Sequence, residues 1–156
     1  MYFWDVDGFK HLIISAALGA LIGLERDLSG KDPSLRTFAL ICMGSCLFSL
    51  MSKYIAGTVS AYADPGRIAA QILPGIGFLG AGVIFRGSRG ISGITTATLM
   101  WATAAIGMAV GFDRIDLGVS ATFTAILVTL ALRLVHKLLW FFRNKKVANA
   151  VDTSDS

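Results

Sequence analysis

ITTATLMWATAAIGMAVGF, residues 94–112, carries no charged side chain and is long enough to cross the roughly 30 Å hydrocarbon core of a bilayer as one helix. Four other apolar runs accompany it: Gly8 to Leu24, Phe38 to Ala56, Ile68 to Phe85 and Leu117 to Val135. Each approaches the roughly 17–25 residues that a spanning helix needs, although in the first the uninterrupted apolar part runs only from Leu12 to Leu24. Hydrocarbon offers no water to backbone amides, so such segments must satisfy their own hydrogen bonds as helices. The expected fold class is all-α: a polytopic helical membrane protein with about five transmembrane helices.

Composition agrees with the bilayer as solvent. The 156 residues are 54% hydrophobic and 15% charged, with a mean hydropathy of +0.68. No polar stretch is long enough to build a separate soluble core, which argues against an enzyme, and no cofactor is expected. The net charge of +4 does not point to nucleic acid, because the basic residues are scattered over loops and the C-terminal stretch rather than gathered on one face. Cys42 and Cys46 sit one helical turn apart with no other ligand nearby, so they read as small packing residues and no metal site is assigned. The acidic opening Asp5-Val-Asp7 differs from the basic start of a secretory signal, so the first run reads as an uncleaved helix.

If all five runs span, the N-terminus and the second and fourth connections share one side, with Lys10, Lys53, Arg67 and Arg114. The other side holds Arg26, Lys31, Arg36, Arg86, Arg89, Arg133, Lys137, Arg143, Lys145 and Lys146. The positive-inside rule then places the N-terminus outside and the C-terminus in the cytoplasm. The expected organisation is an extracytoplasmic tail over residues 1–9 and a transmembrane domain over 10–135. Residues 136–156 form a cytoplasmic interfacial helix end, with Leu138 to Phe142 at the headgroups, and a disordered polar tail from Asp152.

Small residues recur every fourth position at Ser15, Gly19 and Gly23, and at Thr103, Gly107 and Gly111, a pattern that lets helix backbones approach either within one subunit or between two. The third run concentrates Gln71, Pro74, Gly75, Gly77, Gly80 and Gly82, so a kink or a break is expected where Pro74 withholds its N–H from the carbonyl of Ala70. Asp32-Pro33 and Asp64-Pro65 read as helix N-caps, with Arg36 and Arg67 within reach of each acid. Glu25 and Arg26 lie directly against an apolar run, where ionisable groups are functional candidates or simply mark the headgroup boundary. Together with Thr37, these residues form a candidate polar boundary: Glu25, Arg26, Arg36, Thr37, Asp64, Arg67 and Gln71. Thr95, Thr96 and Trp101 are candidate polar contacts on the fourth helix.

Four segments carry a family resemblance: Gly23-Leu-Glu-Arg26 with Leu35-Arg-Thr37, then Arg67-Ile-Ala-Ala-Gln71, Gly75-Ile-Gly-Phe-Leu-Gly-Ala-Gly82, and Gly93 with Ile94-Thr-Thr-Ala97 continuing to Trp101 and Gly107. Their order and spacing resemble the membrane domain of the MgtC/SapB family over about residues 10 to 135. Phe38 departs from the histidine common after Arg-Thr, and Pro74 from a small polar residue. The chain stops before the C-terminal ACT-like domain that longer members carry, so a short form is expected.

The resemblance implies a bacterial inner-membrane protein that adapts the cell to magnesium limitation by acting on other membrane proteins, ATP synthase among them, or on a second copy of itself. Without a P-loop, ATP hydrolysis is not expected. A channel or transporter for a cation such as Mg2+ is the alternative, with Gln71, carbonyls freed near Pro74 and Glu25 along its path. Every Asp and Glu falls at a helix end, loop or tail in this topology, which favours regulation.

Overall fold

The computed structural model describes the backbone of residues 6–59, 64–88 and 90–152, and side chains within 6–58, 64–88 and 90–139. Five α-helices run in chain order as α1 (Val6–Leu28), α2 (Leu35–Val59), α3 (Ile72–Gly82), α4 (Ile94–Gly111) and α5 (Ile115–Asp152). A 3₁₀ turn, Ala69–Gln71, leads into α3, and a two-stranded antiparallel hairpin, β1 (Phe85–Gly87) and β2 (Gly90–Ser92), follows it. The protein is thus an all-α polytopic membrane protein, and α1, α2, α4 and α5 are each long and apolar enough to span.

The third helix is different in kind. At 1.5 Å per residue, with 2.0 Å in the 3₁₀ turn, Ala69–Gly82 reaches only about 22 Å, short of the hydrocarbon thickness. Pro74 neither breaks nor kinks a long helix, because it occupies the first turn of α3, where an amide has no intrahelical partner to lose. The chain changes from 3₁₀ to α geometry just before it. The far end of the expected third span, including Phe85, belongs instead to the hairpin, with Arg86 opposite Ile91.

Helices α1 and α4 end in the same way. After α1, Gly30 adopts φ +62 while the amide of Lys31 reaches the Arg26 carbonyl (3.1 Å) and that of Gly30 the Asp27 carbonyl (3.0 Å). After α4, Asp113 takes the left-handed position at φ 61, with Arg114 bonded to Ala109 and Asp113 to Val110. Both are Schellman terminations, which satisfy the last carbonyls without solvent. Helix α2 does not begin at Asp32-Pro33: the Ser34 carbonyl accepts the first turn's amides, and Asp27 Oδ2 accepts the Leu35 amide at 3.2 Å.

Within residues 1–125, one of two compact units of the chain, α1 packs on α2, α2 on α4, α1 on α4, and α3 on α4. The core between α1, α2 and α4 is built of Ile22, Phe38, Cys42, Cys46, Met100, Ala104, Ile106 and Val110. Gly19 lies so close to α2 that a Cβ there would stand 2.5 Å from the Phe38 carbonyl oxygen. At Gly107 a Cβ would strike the Cys42 carbonyl, and at Gly111 it would stand 2.6 Å from that of Cys46. Buried hydroxyls need no neighbour here: Ser15, Ser49, Thr103 and Thr122 each donate to a carbonyl one turn back in their own helix.

The helix ends of this unit gather into two sets. At one, His11 of α1 meets Asp113 (3.1 Å), Lys53 of α2 pairs with the same carboxylate, and the Ser52 hydroxyl donates to the Pro65 carbonyl. The Lys53 hydrogen bond, aided by the charges of Lys53 and His11, holds the Asp113 carboxyl below its ordinary range, so it stays ionised and ties three segments together. At the other set, the end of α1 meets the starts of α2 and α4. The second unit, from Ile126, is the continuation of α5, apolar at Leu127, Leu130, Leu134 and Leu138, with Arg133, His136 and Lys137 among them. The expected interfacial aromatics Trp140, Phe141 and Phe142 lie outside the described side chains; of the polar tail expected from Asp152, Asp152 itself ends α5 and the rest lies outside the described residues.

Gly107→Ala should therefore force α2 from α4 and cost about 1–3 kcal/mol, the usual penalty of overpacking. Gly77→Ala, where a Cβ meets nothing within 4 Å, should be neutral or stabilising by about 0.5–1 kcal/mol. Denaturant unfolding in detergent micelles checks both.

Candidate functional site

The end of α1 brings two charges inside the protein. The side chains of Glu25 and Arg26 are only 7% and 5% exposed, and their charged groups stand 3.9 Å apart. Two glycines make this burial feasible. Gly23 lets the start of α2 lie against the last turn of α1, with Leu35 Cα 2.5 Å from where a Cβ would be. Gly93, at φ +89, allows the start of α4 to rest on the Val83 carbonyl, where a side chain would collide.

That placement delivers Thr96 to Arg26. Arg26 Nη2 donates to Thr96 Oγ1 at 3.1 Å, joining α1 to α4 across 70 residues of sequence. Thr96 Oγ1 also approaches the Asp32 carbonyl at 3.5 Å, which draws the α1–α2 loop to the same point. The Glu25 carboxylate accepts the Ser29 hydroxyl at 3.1 Å, and that hydroxyl also reaches the Glu25 carbonyl at 2.7 Å. Arg26 Nε is buried and finds no hydrogen-bond partner among the described residues. A buried ion pair is expensive to desolvate, and removing one member leaves the other uncompensated. The cluster acts as a lock: it ties the end of α1, the α1–α2 loop and the start of α4 to one another.

The expected polar boundary divides between the two ends of the bundle. Glu25 and Arg26 lie at the lock, with Arg36 exposed near the start of α2. Asp64, Arg67 and Gln71 lie at the opposite end, where they line a cavity of about 440 Å³ with Ser52, Ile55 and Ile68. The anticipated contacts of Asp32 with Arg36 and of Asp64 with Arg67 are not among the ion pairs of the described residues. Asp64 instead accepts the Gly66 amide at 2.8 Å, turning the chain toward α3. Thr37 and Gln71 both line a larger, apolar cavity of about 660 Å³ between α2 and α3.

The glycines separate in the same manner. Gly19, Gly23 and Gly107 sit in tight helix contacts, and Gly80 packs on Ala97 at an ordinary 3.5 Å. At Gly75, Gly77 and Gly82 a Cβ would meet nothing within 4 Å among the described residues. Thr95 is exposed and gives its carbonyl to Thr98, while Trp101 is half exposed beside α3. Sequence reasoning missed Asp27 as the acceptor for the α2 amide and missed the joining of His11, Lys53 and Asp113. Both depend on contacts distant in sequence, which no local spacing announces. Among the described residues, no three of His, Cys, Asp and Glu gather as metal ligands.

The family model for the MgtC family matches residues 12–138. YhiD of Escherichia coli K12, whose name assigns it provisionally to magnesium transport, is 42% identical over 138 residues, covering 86% of this chain and 63% of that protein. An uncharacterised protein of Haemophilus influenzae is 38% identical over 139 residues, covering 83% and 58%. The protein MgtC of Salmonella typhimurium LT2 is 40% identical over 123 residues, covering 79% and 51%. The chain thus spans between about half and five-eighths of the length of these relatives. No solved structure matches it.

Replacing Arg26 by Met should remove the cation beside the buried Glu25 carboxylate and lower unfolding stability by roughly 3–5 kcal/mol. Thr96→Val should cost about 1 kcal/mol. The double variant should show a coupling of about 0.5–3 kcal/mol between the two sites, measured by unfolding in detergent, whereas strict additivity would dissociate Thr96 from the lock.

Proposed function

The chain belongs to the MgtC family, and on that premise we propose that it is a bacterial inner-membrane protein serving adaptation to low magnesium, acting on other membrane proteins rather than moving an ion itself. The observation that carries this reading is the closure of the bundle between α1, α2 and α4. Backbone stands against side chain or backbone at Gly19, Gly107 and Gly111, which leaves no passage there for a cation that holds its waters as tightly as Mg2+. The buried charges support it as well, since Glu25 and Arg26 engage one another, Ser29 and Thr96 at a boundary instead of lining a path.

The boundary that holds the lock faces the cytoplasm in this proposal, because if α5 is a span, sequence order assigns Arg133, Lys137, Arg143, Lys145 and Lys146 to the same side as Arg26, Lys31, Arg36 and Arg86, against only Lys10, Lys53, Arg67 and Arg114 on the other. The C-terminus is then cytoplasmic. The working surface is the outside of the bundle, where a partner meets exposed apolar side chains such as Phe78 and Trp101.

A cation carrier is the second reading, favoured by Gln71 at the junction of the two cavities beside α3. Two measurements on the full chain separate them. Crosslinking in native membranes under magnesium limitation should recover a discrete membrane-protein partner. Proteoliposomes should show no saturable Mg2+ uptake; saturable uptake that Gln71→Ala abolishes would make the chain a carrier.

A further inference from the structure

The two cavities beside α3 are neighbours, sharing Ile68 and Gln71 in their walls. The larger runs between α2 and α3 and is apolar, with Leu40, Phe48, Ile72 and Leu79 along it. The smaller, at the end where α2 finishes, carries one acid and one base, Asp64 and Arg67. These two line one cavity yet form no ion pair with each other, and Arg67 has no ion-pair partner among the described residues. The Gly66 amide fixes the Asp64 carboxylate at the rim. Opposite charges held apart at the mouth of an apolar track complement a zwitterion with a hydrocarbon tail.

We propose that this composite site holds one phospholipid of the phosphatidylethanolamine class. Its phosphate sits on the Arg67 guanidinium, its ammonium on Asp64, and one acyl chain lies between α2 and α3. Arginine suits the phosphate because its fork of N–H donors matches two phosphate oxygens. The cavity volumes, about 660 and 440 Å³, fall in the range of about 300–1,000 Å³ that small-molecule sites occupy. The open space at Gly44 and Gly75, where a Cβ would meet nothing within 4 Å, is then the track of the acyl chain. Bulk lipid would cover any apolar face, whereas the paired charges at the mouth select a headgroup.

The test uses the full chain purified in mild detergent, carried through repeated detergent exchange and examined by native mass spectrometry, with phosphatidylethanolamine, phosphatidylglycerol and phosphatidylcholine offered in equal amounts. Wild-type protein should retain one phosphatidylethanolamine per chain. Arg67→Gln, at an exposed position, should reduce retention about tenfold, the scale of one lost charge-assisted contact. Gly75→Leu should reduce it similarly by filling the track, since a Cβ there meets nothing within 4 Å and the side chain enters the open space. Equal retention in wild type and both variants would reduce the bound lipid to a non-specific coat. Preference for phosphatidylglycerol would refute the zwitterion match, and a second copy of the chain in place of lipid would make the groove an oligomer contact. Each of these three results overturns the proposal.

Discussion

In hydrocarbon an apolar side chain gains little by leaving its solvent, so a helical membrane protein is held by how closely its helices approach and by the polar contacts they share. Here the close approach is centred on α2. Its face of Cys42, Ser45, Cys46 and Ser49 is small and buried, Gly107 and Gly111 of α4 settle on it, and Gly19 of α1 meets the same helix at Phe38 and Cys42. The positions where the helices touch are those where a methyl group could not be admitted. Phe38, fully buried, plugs the space at the start of α2, where its carbonyl faces Gly19. The lock of Glu25, Arg26 and Thr96 depends on this arrangement, since only with α1 and α4 both held to α2 does Thr96 come within 3.1 Å of Arg26.

The two ends of the bundle are consequently unlike. One is closed by buried charge and by loops drawn inward at Gly23 and Gly93. The other is tied at its surface by Lys53, His11 and Asp113, and opens beside α3 into a cavity with an acid and a base. The shortness of α3 accounts for the difference. A helix of 11 residues after a 3₁₀ turn does not fill the space beside α2, and Gly75 and Gly77 leave its surface bare. The closed side suits a rigid structural module, and the open side suits a ligand that arrives from the bilayer.

Much of the fold was legible because hydrocarbon enforces simple rules. Four apolar runs gave helices near their expected positions, and the four-residue spacing of Gly19, Gly23, Gly107 and Gly111 marked helix contacts. Gly75, Gly77 and Gly82 follow no such spacing, and a Cβ at any of them would meet nothing within 4 Å among the described residues. Pro74 looked like a mid-span break because the run from Ile68 to Phe85 concealed where the helix starts. The hairpin had its own signal, Gly87 and Gly90 between Phe85 and Ile91, which the apolar run on one side obscured. Grouping Glu25 with Asp64 and Arg67 by chemistry alone placed opposite ends of the bundle in one site. The contacts of Asp27, His11 and Asp113 link distant segments, so they follow from packing rather than from any motif.

The central claim is that α1, α2 and α4 are sealed against one another, and the protein carries its own reporters at that seal. Cys42 and Cys46 are free thiols with no exposed surface, placed where Gly107 and Gly111 of α4 meet α2. The direct measurement is the rate at which a small, charged, water-soluble thiol reagent labels them in open membrane fragments. The account predicts no labelling of either cysteine in the folded protein and complete labelling once it is denatured. Labelling in the folded state at the rate of an exposed thiol would mean that water runs between α2 and α4, and would contradict it.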